Sequence, residues 1–182
     1  MTTSVLSTIN LTAIGLGFSS LIITMVEPLF RVANHFDVYL FPESDQLDYF
    51  VTDLQHHSQN LHIAAAVFLG IAFVFSLVDT ISEYLEIAER KITSMKILET
   101  INVIIATCLY IAGTITLGTV GKRIKDKLDK LPVPIPDVDI NVCWGGIFDV
   151  VGMFSVLIAL ILTVTLVVQS QKARTGYIAL PN

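Results

Sequence analysis

Long uncharged stretches alternate with charged connections along the chain, and these stretches predict four transmembrane helices. Each stretch holds at least 18 residues, enough for a helix to cross a hydrocarbon core of about 30 Å. A helix also satisfies its own backbone hydrogen bonds in lipid. The stretches are residues 5–26, 61–78, 100–120 and 150–170, followed by a short tail, 171–182. We therefore expect one all-α membrane domain over residues 1–182, an antiparallel, left-handed four-helix bundle.

Charge spacing beyond the second and third spans predicts that both helices continue outside the bilayer. Glu86 and Arg90 form a favourable i,i+4 pair, so the second helix is expected to reach about Arg90. After the third span, apolar residues recur at helical spacing among five basic residues, which predicts an amphipathic basic helix. That helix should end at Pro132, where residues 132–136 favour a polyproline II spacer. The basic residues are Lys122, Arg123, Lys125, Lys127 and Lys130.

The connection between the first two spans is acidic, short and rich in aromatic residues. It is too small to form an independent domain, so we interpret residues 27–60 as a cap over the bundle. The chain is expected to re-enter the membrane near Cys143, with Trp144 as an interfacial aromatic anchor.

Composition narrows the class of protein further. Hydrophobic residues make up 53% of the 182 residues and charged residues only 15%, whereas soluble domains are about a quarter charged. The mean hydropathy is +0.72. A small soluble domain could not bury so much apolar surface, and a disordered chain would not contain it. An integral membrane protein that binds no nucleic acid fits best.

Few residues in the spans carry chemistry. Glu99 and Asp149 at span ends are either an ion site or ordinary interfacial carboxylates, and we favour the latter. A cluster at the start of the second span contains His56, His57 and His62 together with Asp53. It could be a metal-binding or pH-sensing site, or simply a polar cap at the interface, and we favour the polar cap. Asn10 begins a glycosylation motif, but a position in or near the membrane prevents its modification. Cys108 and Cys143 are expected at different depths in the membrane, so no disulfide is expected between them. No catalytic, cofactor-binding or metal-binding residues are expected, so the chain is not predicted to be an enzyme.

Small residues four positions apart occur in every span, which favours close helix packing. The pairs are Gly15 and Ser19, Ala66 and Gly70, Thr114 and Gly118, and Ser155 and Ala159.

The tail carries a candidate sorting signal. Gly176, Tyr177 and Leu180 resemble the glycine-tyrosine-x-x-apolar signals of lysosomal membrane proteins, which bind as extended peptides in the cytosol. Counting basic residues does not fix the orientation, because six lie on one side and five on the other. The tail and the acidic first connection favour cytosolic termini. We expect a plasma-membrane or endolysosomal protein.

The four-span layout resembles that of claudins, MARVEL proteins and channel-accessory tetraspans. Claudin-like first loops carry Gly-Leu-Trp and two cysteines, whereas residues 30–60 contain neither Trp nor Cys. Tetraspanin and connexin cysteine motifs are also missing from the sequence, and no family is assigned on this likeness.

We favour a structural or accessory subunit of a larger membrane complex, such as a channel, transporter, receptor or junction-like assembly. Its partners would be lipid and either a larger membrane protein or further copies of the chain. The alternative is a small oligomeric channel or transporter, in which Asn102, Thr107 and Thr114 would line a water path. An organellar-complex subunit and a membrane enzyme are less favoured.

The basic helix after the third span is the predicted contact surface. Facing the cytosol, it would lie on anionic lipid; facing outward, as we prefer, it would contact acidic groups of this chain or of a partner. A simple solvated helix is the other interpretation. Reversing Lys122, Arg123 and Lys127 to Glu should weaken association at low salt.

Overall fold

The computed structural model describes the backbone of residues 3–32, 36–41, 48–85, 89–128 and 140–178. Side chains are described for residues 4–31, 37–41, 54–85, 95–126 and 141–172. Four long helices dominate: α1 (Thr3–Val26), α2 (Asp48–Tyr84), α3 (Glu89–Leu128) and α4 (Trp144–Ile178). Three short strands accompany them: β1 (Pro28–Val32), β2 (Phe36–Tyr39) and β3 (Ile140–Val142).

All four helices are long and apolar enough to cross a membrane, as the sequence predicts. They follow an up-and-down course. The start of α1 meets the end of α4, and Thr24 near the end of α1 reaches the Gly145 carbonyl at the start of α4, 3.3 Å away. The same reversal joins α2 to α3 and α3 to α4. We call the end of the bundle near the strands the sheet end, and the opposite end the terminal end.

The second helix extends beyond its predicted span at both ends, and by more at its start than at its end. It starts at Asp48, well before residue 61, and stops at Tyr84, with Leu85 in a turn. The prediction of a helix reaching Arg90 is therefore wrong, and Arg90 belongs to α3. Chain reversal at this point brings Lys96 of α3 back onto Asp79 and Glu83 of α2. Ion pairs across the turn replace the expected pair along a single helix.

The third helix continues without a break through Val120 to Leu128, as predicted. At 40 residues and about 1.5 Å per residue, it is roughly twice the thickness of a hydrocarbon core. The proline-rich segment 132–136 lies outside the described residues. The fourth helix starts at Trp144, the predicted re-entry point. Trp144 itself is 67% exposed.

A three-stranded antiparallel sheet in the order β2-β1-β3 lies at the sheet end. The sequence analysis did not predict these strands. Leu29 of β1 packs with Leu40 and Leu117, joining the sheet to α3. The helix α2 also contacts the sheet, because Gln55 donates to the Tyr39 carbonyl at 2.7 Å and Gln59 donates to the Leu40 carbonyl. The predicted cap, residues 27–60, is thus in its described part an antiparallel pair of strands followed by the first turns of α2.

Two glycines allow β1 to meet α4 backbone to backbone. A Cβ at Gly145 would lie 2.7 Å from the Glu27 carbonyl oxygen, and one at Gly146 would lie 2.9 Å from that of Leu29. Real Cβ atoms do not approach oxygen so closely. The backbone amide of Cys143 donates to the Leu29 carbonyl at 2.9 Å, so this junction is also hydrogen-bonded.

The core between the helices is apolar and close-packed. It contains Ile14 and Leu21 of α1, Leu69 of α2, Tyr110 of α3 and Val156 of α4, all fully buried. Many large apolar side chains on the outer helix faces are exposed, as expected for a surface that meets lipid.

Candidate functional site

Two groups of buried polar side chains interrupt the apolar core, one near each end of the bundle. The sheet-end network consists of Ser58 and His62 of α2, Tyr110 and Gly113 of α3, and Asp149 and Gly152 of α4. The terminal-end network consists of Asn10 of α1, Asp79 and Glu83 of α2, Lys96 and Glu99 of α3, and Thr163 of α4.

The centre of the sheet-end network is a contact between His62 and Asp149. The imidazole Nε2 lies 3.0 Å from Asp149 Oδ1, and the two residues are 0% and 1% exposed. The other ring nitrogen, Nδ1, lies 2.8 Å from the Ser58 carbonyl oxygen. The Ser58 hydroxyl donates to the Gly113 carbonyl at 3.1 Å. One histidine therefore joins α2 to α4, while the neighbouring serine joins α2 to α3.

Aromatic packing and glycines shape the space around this histidine. The rings of His62 and Tyr110 meet edge to face, with centroids 5.7 Å apart. A Cβ at Gly113 would lie 2.7 Å from the His62 ring, and one at Gly152 would lie 2.2 Å from the Tyr110 hydroxyl oxygen. Neither position can hold a larger residue without displacing a ring. Within the described part of the chain, the Tyr110 hydroxyl has no hydrogen-bond partner.

The terminal-end network combines three carboxyl groups with one ammonium group. Lys96 Nζ lies 2.5 Å from Glu83 Oε1 and 3.4 Å from Asp79 Oδ2. The second oxygens of both carboxyl groups are buried and have no hydrogen-bond partner among the described residues. Removing such charges from water is costly unless they are paired, so Lys96 is central to this network.

Asn10 extends the terminal-end network to the remaining helices. Its Nδ2 donates to Glu99 Oε1 at 2.6 Å, and the Thr163 hydroxyl lies 3.0 Å from its Oδ1. The motif beginning at Asn10 thus lies at a buried packing site. A single amide connects α1 to both α3 and α4.

The structure separates residues that the sequence analysis considered together. Glu99 lies in the terminal-end network and Asp149 in the sheet-end network, so the two do not form a shared ion site. The histidines also diverge: His62 is buried, His57 is exposed, and His56 contacts Gln59 at 2.9 Å. No group of three or more His, Cys, Asp or Glu side chains within the described ranges is arranged to hold a metal ion.

The candidate water-path residues bond mainly to their own helix. Asn102 donates to the Leu98 carbonyl at 2.8 Å, and Thr107 donates to that of Val103 at 2.6 Å. The Thr114 hydroxyl is buried without a partner among the described side chains and backbone groups.

The predicted basic contact surface is exposed where its side chains are described. Lys122, Arg123 and Lys125 are exposed, while Ile124 between them is buried. Lys127 lies in α3 but its side chain is outside the described residues, and so is the whole of Lys130.

The small-residue pairs have mixed surroundings. A Cβ at Gly15 would lie 3.2 Å from Phe73, and one at Gly70 would lie 3.6 Å from Phe18, so these glycines face the α1–α2 contact. A Cβ at Gly118 would meet nothing within 4 Å. Ala159 is buried, Ser19 is exposed, and Ala66, Thr114 and Ser155 are partly or deeply covered.

The closest helix approaches use glycines that the pair pattern does not contain. These are Gly17, whose Cβ would lie 2.5 Å from Val156, together with Gly113 and Gly152. Spacing of four residues identifies possible faces, but only the fold shows which glycine opposes a ring or a branched side chain.

The candidate sorting signal lies where α4 ends. Gly176 and Tyr177 are within α4, although their side-chain surroundings are not described, and Leu180 lies outside the described residues. Recognition as an extended peptide would require the last turn of α4 to unwind.

A shallow apolar groove runs along the outer surface between α1 and α2. Its volume is about 610 Å³, and its walls include Phe18, Met25, Ala66, Gly70 and Phe75. Both cysteines are free thiols. Partial burial raises the pKa of the Cys143 thiol, which lies beside the sheet.

Fold and networks together define a four-helix bundle, with helices long and apolar enough to cross a membrane and a small sheet at one end. No protein-family model and no curated protein sequence matches this chain.

Proposed function

We propose that this chain is a non-catalytic four-span membrane protein and that it acts as a structural or accessory subunit of a larger membrane complex. The observation that carries the proposal is the inward use of its polar groups. His62 of α2 binds Asp149 of α4, and Asn10 of α1 binds Glu99 of α3, so the two contacts tie the four helices together. Contacts with other molecules then depend on the outer surfaces.

The exposed cations at the sheet end are the proposed partner-contact surface. Lys122, Arg123 and Lys125 project from the same end of α3, whose Gly121 packs against Phe30 of the sheet. Packing against the sheet holds this part of α3 in place. Three exposed positive charges on a fixed helix favour an acidic partner surface, because complementary charge speeds and orients association.

The proposed setting is the plasma membrane or an endolysosomal membrane with both termini in the cytosol. That orientation places the sheet and the basic end of α3 outside the cytosol. Anionic lipid is concentrated in the cytoplasmic leaflet, so an acidic protein surface is the preferred partner.

Copurification from native membranes tests the proposal. The full chain is extracted in mild detergent, and associated proteins are quantified for the wild type and for the triple variant Lys122→Glu, Arg123→Glu, Lys125→Glu. We expect a stoichiometric membrane-protein partner with the wild type and at least a tenfold loss with the triple variant at low salt. Rising salt should reduce the difference, because exposed charges are screened over about 10 Å at 0.1 M ionic strength.

A charge-preserving variant is the matched control. Lys122→Arg, Arg123→Lys, Lys125→Arg should retain the partner, because the three positive charges remain. Equal recovery of the partner with the reversed variant at low salt would contradict the role of this surface. A homo-oligomer that conducts ions in liposomes would instead support the alternative, a small oligomeric channel.

A further inference from the structure

The buried contact between His62 and Asp149 fixes the position of the hydrogen atoms around it. A carbonyl oxygen can only accept a hydrogen bond, so the 2.8 Å contact between His62 Nδ1 and the Ser58 carbonyl requires a hydrogen on Nδ1. The Ser58 hydroxyl lies 3.3 Å from Nδ1 but donates its single hydrogen to the Gly113 carbonyl. The histidine is therefore held with Nδ1 protonated.

With Nδ1 protonated, the second contact of the ring has a strict requirement. A neutral imidazole then offers only a lone pair at Nε2, and an ionised Asp149 offers only lone pairs at Oδ1. Two acceptors 3.0 Å apart in a buried site would repel each other. The observed contact needs one additional proton, carried either by Nε2 facing a carboxylate or by the carboxyl group facing a neutral ring.

We infer that the His62–Asp149 contact is a binding site for one proton, and that this proton bridges α2 to α4 across the core of the bundle. Without it, lone pairs face each other at the only described hydrogen bond between these two helices at this level of the bundle. The protein then has an adjustable junction: the side-chain bridge between α2 and α4 holds while the site is occupied and is lost when it is empty.

The surroundings contain few groups that could supply this proton or replace it. Tyr110 of α3 is the titratable group that faces the pair from the third helix. The remaining helix, α1, contributes the hydroxyl residues Ser20 and Thr24 on this side. No Lys or Arg contact to the pair is found among the described residues, so a proton is the cation that completes it.

The thermodynamic sign follows from counting protons in the folded and unfolded chains. Above about pH 6.5 an unfolded histidine and aspartate together hold no extra proton, whereas the proposed site in the folded chain holds one. The folding equilibrium constant should then fall tenfold for each unit of rising pH, until the folded pair releases its proton. Between about pH 4 and 6.5 both states hold one proton, and this slope is absent.

Asp149→Asn is the matched variant that removes the need for the proton. Its amide can donate directly to Nε2 of a neutral His62, so the contact is preserved without charge. We would measure reversible unfolding of the full-length protein in mixed detergent micelles from about pH 6.5 to 8.5. The wild type should lose stability more steeply than Asp149→Asn, with a difference in slope close to tenfold in the equilibrium constant per pH unit. Equal slopes would overturn the inference.

A second variant and a direct measurement cover the case in which Asp149→Asn does not fold. His62→Gln can donate from its amide to the Asp149 carboxylate, and it should also lose the alkaline slope. In the wild type at about pH 7, nitrogen NMR of His62 and carbon NMR of Asp149 would count the protons on the pair. One extra proton supports the site, whereas a neutral ring beside an ionised carboxylate contradicts it.

Discussion

The two ends of the bundle bury polar groups in different ways. At the sheet end, one histidine and one aspartate are placed by glycines on the neighbouring helices, and the ring fills the space that Gly113 leaves. At the terminal end, two carboxyl groups pair with one lysine while a third binds Asn10, and two carboxyl oxygens have no hydrogen-bond partner among the described residues. Shape therefore governs the first network, and charge governs the second.

This difference determines which substitutions each end should tolerate. A network fitted by shape is sensitive to added volume, even when the added group is a single methyl. A network governed by charge is sensitive to loss of the one opposite charge.

Loss of Lys96 should have the largest effect. Lys96→Met leaves Asp79 and Glu83 without their cation, and breaking a buried pair from one side costs about 3–5 kcal/mol. The free energy of unfolding in mixed detergent micelles measures the loss. The matched control is Lys122→Met, which removes an exposed lysine from the same helix and should leave the free energy nearly unchanged.

A double variant separates charge from volume at the terminal end. Lys96→Met combined with Asp79→Asn removes one of the stranded carboxylates, so it should be more stable than Lys96→Met alone. If the double variant is less stable than the single one, charge does not govern this network.

Added volume at the sheet end should have the next largest effect. Gly113→Ala places a methyl group 2.7 Å from the His62 ring, and Gly152→Ala places one 2.2 Å from the Tyr110 hydroxyl oxygen; overpacking of this kind costs about 1–3 kcal/mol. Gly118→Ala is the control on α3, because its methyl group meets nothing within 4 Å. Thermal unfolding should show a lower midpoint for Gly113→Ala and Gly152→Ala and an unchanged midpoint for Gly118→Ala. An equal response of all three would contradict fitting by shape.

Removal of the Asn10 amide should cost less. Asn10→Ala breaks hydrogen bonds to Glu99 and Thr163, and interhelical hydrogen bonds in membranes average about 0.6 kcal/mol with a maximum near 1.7. A loss of about 1–2 kcal/mol is expected because two helices are affected. Thr12→Ala, at an exposed position on the same helix, should be close to neutral and serves as the control.

The exposed ion pair of the sheet should have the smallest effect. Arg31 contacts Asp37 at 2.6 Å, and the hydrogen bond from the guanidinium lowers the pKa of the Asp37 carboxyl group. A lowered folded-state pKa contributes stability above the unfolded value, and this is lost as pH falls through the folded value. Carbon NMR should show Asp37 titrating at lower pH in the wild type than in Arg31→Gln. Identical titration curves would show that the pair is absent in solution.

The helices could be predicted from the sequence because their signal is local. Long uncharged stretches identify all four helices, and the continuous third helix follows from its basic amphipathic extension. The end of the second helix was placed incorrectly, because the ions at residues 79–96 pair across a chain reversal. A spacing rule along one helix cannot distinguish that arrangement from a continuing helix.

The sheet and the two networks could not be predicted because their partners are far apart in sequence. Strand β1 pairs with β3, more than 100 residues later, and each strand is only a few residues long. His62 and Asp149 were both recognised as polar residues near span ends, but their sequence separation of 87 gave no reason to join them. The glycines at 113 and 152 carry no local signal either, since what they oppose is decided by helix rotation.

The stoichiometry of the native complex distinguishes an accessory subunit from a channel built only of copies of this chain. Native mass spectrometry of the full-length protein, released from its own membrane in mild detergent, would report the masses bound to it. The account predicts a fixed ratio of this chain to a larger membrane protein, with no ion flux when the purified chain alone is placed in liposomes. A complex containing only copies of this chain, together with ion flux in those liposomes, would contradict the accessory role.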